Sequence, residues 1–187
     1  MKAEKALITG FKNGNKLLLC GNGGSCADCE HIVGELMKGF LSKRPLSEEQ
    51  KAEMRANCPE IEEKYLSLLQ RAVPAIALPS FTALNTAFCN DVEPELVFAQ
   101  CLMGLGKKDD VLLCISTSGN SKNAVAAALT AKALGLKTMG LTGKTGGKLK
   151  SICDICVCVP ETETFKVQEL HLPVYHYLCA RVEEKMF

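Results

Sequence analysis

His31 and Glu35 stand four residues apart, close behind the stretch Gly21-Asn22-Gly23-Gly24-Ser25. On a helix that spacing puts an imidazole and a carboxylate on one face. The pair suits two ligands of one zinc ion, or one ligand beside a catalytic carboxylate. By itself an i,i+4 His/Glu pair is more often an ordinary surface pair, so its weight comes from the neighbouring loop. Of the three histidines, the other two lie in the run Lys166-Val-Gln-Glu-Leu-His-Leu-Pro-Val-Tyr-His176. Gln168 and His171 are one turn apart there, whereas Gln168 and His176 are about 12 Å apart on an ideal helix. Gln168 and His176 meet at one ion only if Pro173 bends the segment, if Gln168 precedes the helix, or if the two come from different subunits. His171 reads as a partly buried helical histidine.

Two loops of small residues set the second chemical theme, Gly21–Ser25 and Ser116-Thr117-Ser118-Gly119-Asn120-Ser121. Each follows a short apolar run and opens a helical pattern. Converging backbone N–H groups, hydroxyl donors and a helix start can hold a phosphate without any Lys or Arg. Neither loop has the G-x-G-x-x-G spacing of dinucleotide folds, and neither ends in the Gly-Lys-Ser/Thr of a nucleotide P-loop. A small phosphorylated molecule is the expected ligand.

The elements that must position these residues follow from hydrophobic patterning. Five apolar runs, 16–20, 75–78, 111–115, 138–141 and 155–159, are too continuous to alternate inward and outward, which predicts strands covered on both faces. Val125–Leu134, ending at Gly135, lies between two of them as a crossover helix. The predicted fold is α/β, a doubly wound, five-stranded, mainly parallel sheet flanked by helices, with both loops beyond the carboxyl ends of strands. The chain reads as one domain, 1–187, with a charged helical insertion at about 47–70 whose apolar face is Ile61, Tyr65, Leu68 and Leu69.

Composition narrows the partners. In 187 residues, 22 basic side chains face 21 acidic ones and tryptophan is absent, so there is no basic stripe with interleaved aromatics to read nucleic acid. No apolar run reaches the roughly 20 residues that span a bilayer. Eleven cysteines, an odd number, without a leader pattern predict a reducing cytoplasm rather than a disulfide scaffold. Cys26-x-x-Cys29 and Cys153-x-x-Cys156-x-Cys158 offer redox or zinc spacings, but the second set lies in an apolar run where cysteine replaces a small buried hydrophobe.

Taken together, Gly21-Asn-Gly-Gly-Ser25, His31-x-x-x-Glu35, Asn90-Asp91, Ile115 to Ser121, Leu141-Thr-Gly143 with Gly146-Gly147, and Gln168-Glu-x-His171 with His176 resemble, in order, the phosphoheptose isomerases of the sugar-isomerase (SIS) family. The likeness covers nearly the whole chain apart from 47–70 and a short N-terminus, where a helix of the relatives is expected to be missing. It implies isomerisation of sedoheptulose 7-phosphate to a heptose 7-phosphate by a homotetramer that binds no nucleic acid or membrane. It also implies substrate contacts at Asn22, Gly23, Gly24, Ser25, Asn90, Asp91, Ser116, Thr117, Ser118 and Ser121. Zinc is implied at His31, Glu35, Gln168 and His176, with Glu35 and Gln168 also reaching the sugar. Glu35 is the expected base and His176 its acid partner. The resemblance leaves two other functions to weigh. A non-catalytic relative that binds a replication initiator protein would lack the carboxylate and the terminal histidine. A sugar-phosphate-sensing module would normally carry a DNA-binding domain.

Overall fold

The computed structural model describes residues 1–187. Five strands, β1 (Leu17–Gly21), β2 (Ala75–Ala77), β3 (Val111–Ser116), β4 (Lys137–Thr142) and β5 (Ile155–Cys158), form one sheet in the order β2-β1-β3-β4-β5. Every pairing is parallel, so the sheet expected to be mainly parallel is wholly so. The aliphatic runs become strands because alternate residues bury on opposite faces. Leu17, Leu19, Val111, Leu113 and Ile115 face one apolar cluster, and Leu18, Cys20, Leu112 and Cys114 face the other.

The first face is covered by α1 (Lys2–Lys12), α2 (Gly24–Met37) and α9 (Thr164–Met186). The second is covered by α6 (Val97–Leu105), α7 (Lys122–Ala133) and α8 (Gly147–Ile152). Alanines at 124, 127, 128 and 131, all fully buried, let α7 lie close on the sheet. Chain direction across the sheet reverses between β1 and β3, and a doubly wound sheet gathers its ligands at such a switch point. The Gly21–Ser25 loop leaves β1 and the Ser116–Ser121 loop leaves β3, so both flank it.

The excursion at 47–70 holds α3 (Glu48–Asn57) and α4 (Glu63–Leu68). Ser47 caps α3, its hydroxyl accepting from the Gln50 amide while Gln50 Oε1 accepts from the Ser47 amide. The apolar face expected there is corrected. Tyr65, Leu68 and Leu69 are exposed and Ile61 only half-buried, whereas Leu66 alone is buried. With six residues, α4 is too short for periodicity to fix which side docks. Its direction is set by the tether at Pro45 and Gln70, which pair antiparallel beside the end of α2. A further helix, α5 (Thr82–Asp91), buries no residue. No helix is long and apolar enough to cross a membrane.

Candidate active site

The two loops meet as their positions demand. A cleft of about 370 Å³ is lined by Asn22, Gly23, Gly24, Ser25, Ser116, Thr117, Ser121 and Gln168, with Ile115 and Thr164 completing the wall. Ser116 and Ser121 share a hydroxyl–hydroxyl hydrogen bond of 2.9 Å. Asn22 and Asn123 exchange reciprocal side-chain bonds of 2.9 Å, tying the first loop to the first turn of α7. Gly119 has φ +67°, and a Cβ there would collide with the Gly146 carbonyl, so only glycine lets the serine loop close against the start of α8. The cleft contains no Lys or Arg. Its anion affinity rests on backbone N–H groups, hydroxyls and the starts of α2 and α7. A larger cavity, about 750 Å³, opens at the amino ends of β3, β4 and β5 and holds none of the candidate residues. Position at the switch point, rather than volume, identifies the site.

α2 and α9 lie side by side and bring the remaining candidates together in two levels. At the first level the Gln168 carboxamide packs on Gly24, in space that a Cβ there would occupy. At the second, the His31 and His176 rings meet edge to face with centroids 5.0 Å apart. His31 Nε2 is 3.2 Å from Glu35 Oε1. The His31 side chain is 42 % exposed and that of Glu35 13 %, so the imidazole screens the carboxylate from solvent. Glu35 Oε2 and His176 Nε2 are both buried without a hydrogen-bond partner. Lys38 Nζ, largely exposed, stands 3.7 Å from that carboxylate oxygen, an ion-pair distance too long for a hydrogen bond.

Gln168 lies in the second turn of a continuous α9 that also carries Pro173 and His176, so it does not precede the helix. Within one chain it joins the anion cleft and His176 joins His31 and Glu35.

The donor chemistry fits zinc in one respect and falls short in another. Two imidazoles and a carboxylate are a zinc set, and orphaned buried acceptors call for a cation or proton. A separation of 3.2 Å between His31 Nε2 and Glu35 Oε1 is also close to the about 3.3 Å between neighbouring ligands of a tetrahedral zinc. Yet no three His, Cys, Asp or Glu side chains converge closely enough to hold a metal ion.

Other expected residues fall outside this geometry. Ser118 is exposed and turned to its own loop, its Oγ accepting from the Asn120 amide at 3.1 Å. Asn90 and Asp91 sit exposed at the end of α5, hydrogen-bonded to each other at 2.8 Å, and do not line the cleft. His171 is completely buried rather than partly so, with neither ring nitrogen bonded to a side chain, and burial pulls it below its ordinary value. All eleven cysteines are free, with Cys153 buried and Cys156 and Cys158 half-buried on the edge strand.

Three contributors were not singled out in the sequence: Thr164, Asn123 and Tyr175. Tyr175, on the buried face of α9, places its hydroxyl 3.0 Å from His31 Nδ1. Burial raises the Asp28 carboxyl above its ordinary value, against a smaller opposing effect of the Tyr175 hydroxyl, and leaves Asp28 Oδ2 without a hydrogen-bond partner. The available signal was the stripe His171, Tyr175, Cys179 at helical spacing, because a buried tyrosine hydroxyl requires a partner.

Comparison with known proteins gives consistent matches. Residues 55–143 match the SIS domain family. The phosphoheptose isomerase of Nitratiruptor sp. is 41 % identical over 177 residues, 95 % of this chain and 81 % of that protein. That of Aneurinibacillus thermoaerophilus is 39 % identical over 185 residues, 99 % of this chain and 80 % of the relative. Among solved structures, a phosphoheptose isomerase from Francisella tularensis superimposes with a TM-score of 0.80 at 32 % identity, covering 98 % of this chain and 84 % of that one. One from Neisseria gonorrhoeae gives 0.78 at 30 % identity, with 98 % and 84 % covered.

Proposed function

The chain belongs to the phosphoheptose isomerase family, and we propose that it interconverts sedoheptulose 7-phosphate and D-glycero-D-manno-heptose 7-phosphate, supplying nucleotide-activated heptose synthesis. The observation that carries this is the carboxylate of Glu35, one oxygen buried without a hydrogen bond and the other 3.2 Å from His31, whose ring packs on that of His176, on the two helices whose starts frame an anion cleft. A protein that only bound a partner through this fold would have no use for orphaned acid–base groups there.

Ser116, Thr117 and Ser121, with the amides of their loop and of Gly23 to Ser25, bind the phosphate and fix the far end of the open-chain sugar. Glu35 takes the proton from the carbon beside the carbonyl and returns it to the neighbouring carbon. His176 gives a proton to the carbonyl oxygen and takes one from the adjacent hydroxyl, so the enediol forms and collapses with no net proton change. Gln168, beside Gly24, offers a carboxamide to sugar hydroxyls.

Zinc is the proposed cofactor: His31 and Glu35 are spaced to share it, His176 and Gln168 would complete the set by drawing closer or from a neighbouring chain, and bound there it would supply Lewis-acid polarisation of the carbonyl. Because Gln168 and His176 lie at different levels of α9, a homotetramer with sites shared between chains is the proposed assembly. A cytoplasmic location is supported by eleven free thiols. Incubating the protein with a panel of ketose phosphates and identifying the aldose products tests the assignment. Conversion of the seven-carbon substrate alone is expected, and no aldose from any of the panel overturns it.

A further inference from the structure

A buried ion pair stands behind the two acid–base groups. Arg44 is 1 % exposed and has φ +47°, a backbone conformation that residues other than glycine seldom adopt. Its guanidinium donates from Nε to Glu183 Oε1 at 2.6 Å, from Nη1 to the Leu36 carbonyl at 2.8 Å and from Nη2 to the Glu35 carbonyl at 2.9 Å. Those carbonyls belong to the last turn of α2, where the helix has no further amides of its own to satisfy them. Glu183 lies two turns beyond His176 on the same side of α9. Besides Arg44, its carboxylate accepts from the backbone amides of Phe40, Leu41 and Ser42 at 2.9, 2.8 and 3.1 Å. The Phe40 ring, on the loop hung from Glu183, packs on the His176 ring with centroids 5.5 Å apart.

We propose that Arg44 and Glu183 are positioning residues for the isomerisation: Arg44 fixes the turn of α2 that carries Glu35, and Glu183 holds Phe40 as a backstop to the His176 ring. The inference rests on the reading of Glu35 and His176 as the proton-transfer pair. Buried ion pairs are weak sources of stability once desolvation is counted, so a pair serving only to join α2 to α9 would gain little over apolar packing. Here Arg44 bonds the peptide of Glu35 itself, and the loop held by Glu183 supplies the ring that meets His176. Three acceptors on three separate nitrogens suit the fixed fork of a guanidinium and not the point charge of an ammonium.

The test uses two variants. Arg44→Lys keeps the charge and removes the fork, whereas Phe40→Leu removes the ring and keeps the ion pair and the backbone amide. Each is measured for kcat and KM with sedoheptulose 7-phosphate, for binding of inorganic phosphate and for melting temperature. Both should lose about tenfold or more in kcat, because small displacements of reacting groups are costly. KM and phosphate affinity should stay within about twofold of the wild type, since the anion cleft lies at the opposite end of α2. A folded Arg44→Lys protein with wild-type kcat, whatever its melting temperature or KM, would overturn the proposal and leave the pair a structural tie. Should Arg44→Lys fail to fold, Phe40→Leu decides, and wild-type kcat there overturns the proposal. A wild type that converts no ketose phosphate overturns the functional reading instead. The His176 ring-proton shifts, which sense the Phe40 ring, then decide on positioning: both variants should move them, and unchanged shifts in a folded variant overturn it.

Discussion

The Gln168 carboxamide lies directly on Gly24, where α9 crosses the start of α2, so that the side chain occupies the space of a missing Cβ. Gly24 is the first residue of α2, and an added Cβ there meets only that side chain. Gly24→Ala should therefore leave the melting temperature unchanged or slightly raised, because only the flexible end of Gln168 has to move. Turnover should fall by at least about tenfold if Gln168 contacts the sugar, as a displacement of about 1 Å in a positioning group can cost 10²-fold. A stable variant with wild-type kinetics would show that the carboxamide has no part in the reaction.

The serine loop separates two residues that the sequence treats alike. Ser121 lines the cleft and bonds Ser116, whereas Ser118 accepts from its own loop. Ser121→Ala is expected to weaken substrate binding by about 1.5–3 kcal/mol, the range for a hydrogen bond to a charged group. Ser118→Ala should cost less in KM and act mainly by loosening the turn. Inorganic phosphate should compete with substrate and raise the melting temperature of the wild type. Equal KM effects for the two serines would contradict the orientation of Ser118.

The contrast between those serines shows which parts of the molecule were legible in the sequence. The strands were, because Leu17–Cys20 and Val111–Ile115 are aliphatic without interruption and only a sheet covered on both faces accommodates that. So was the meeting of the two loops, which follows from strand order. The docked side of α4 was not, since Leu66 and Leu68 are equally apolar and only the tether at Pro45 and Gln70 chooses between them. Nor was Tyr175. In a helix otherwise patterned for the core it reads as one more apolar residue, and its hydroxyl gains meaning only when α2 brings His31 against it.

His171 gives a pH signature separate from catalysis. Burial lowers its proton affinity below the ordinary value of 6.5, so it binds a proton more readily unfolded than folded. Its contribution to stability is complete above pH 6.5 and is lost as pH falls toward the depressed folded value. Melting temperatures measured from about pH 8 down to 5 should decline in the lower half of that range. His171→Leu, which puts an apolar side chain at this fully buried position, should flatten the decline. Identical acid slopes in both proteins would place the sensitivity elsewhere.

Glu35→Gln keeps shape and hydrogen bonding while removing the basic oxygen, so turnover should drop about 100-fold or more with the fold intact. An ordinary surface carboxylate paired along its own helix would cost only a few tenths of a kcal/mol and leave the rate alone. Exchange of solvent deuterium into the carbon-bound position beside the carbonyl distinguishes the two. The wild type should catalyse it. A Glu35→Gln protein that exchanges at the wild-type rate removes Glu35 from the proton path.

The separation of Gln168 from His176 makes the strongest demand on assembly. Both lie on α9, about 12 Å apart at 1.5 Å per residue, one against Gly24 and the other against His31. If a single site draws Gln168 from one chain and His176 from its neighbour, Gln168→Ala and His176→Ala proteins should each be inactive alone. Unfolding the two together and refolding the mixture should then restore activity, because some shared sites receive neither lesion. If both residues served the same site from the same chain, every site in the mixture would carry one lesion and no activity would return. Light scattering on the wild type should give the mass of four chains. A fully active monomer at micromolar concentration, together with failure of the mixture to recover, would falsify the shared site.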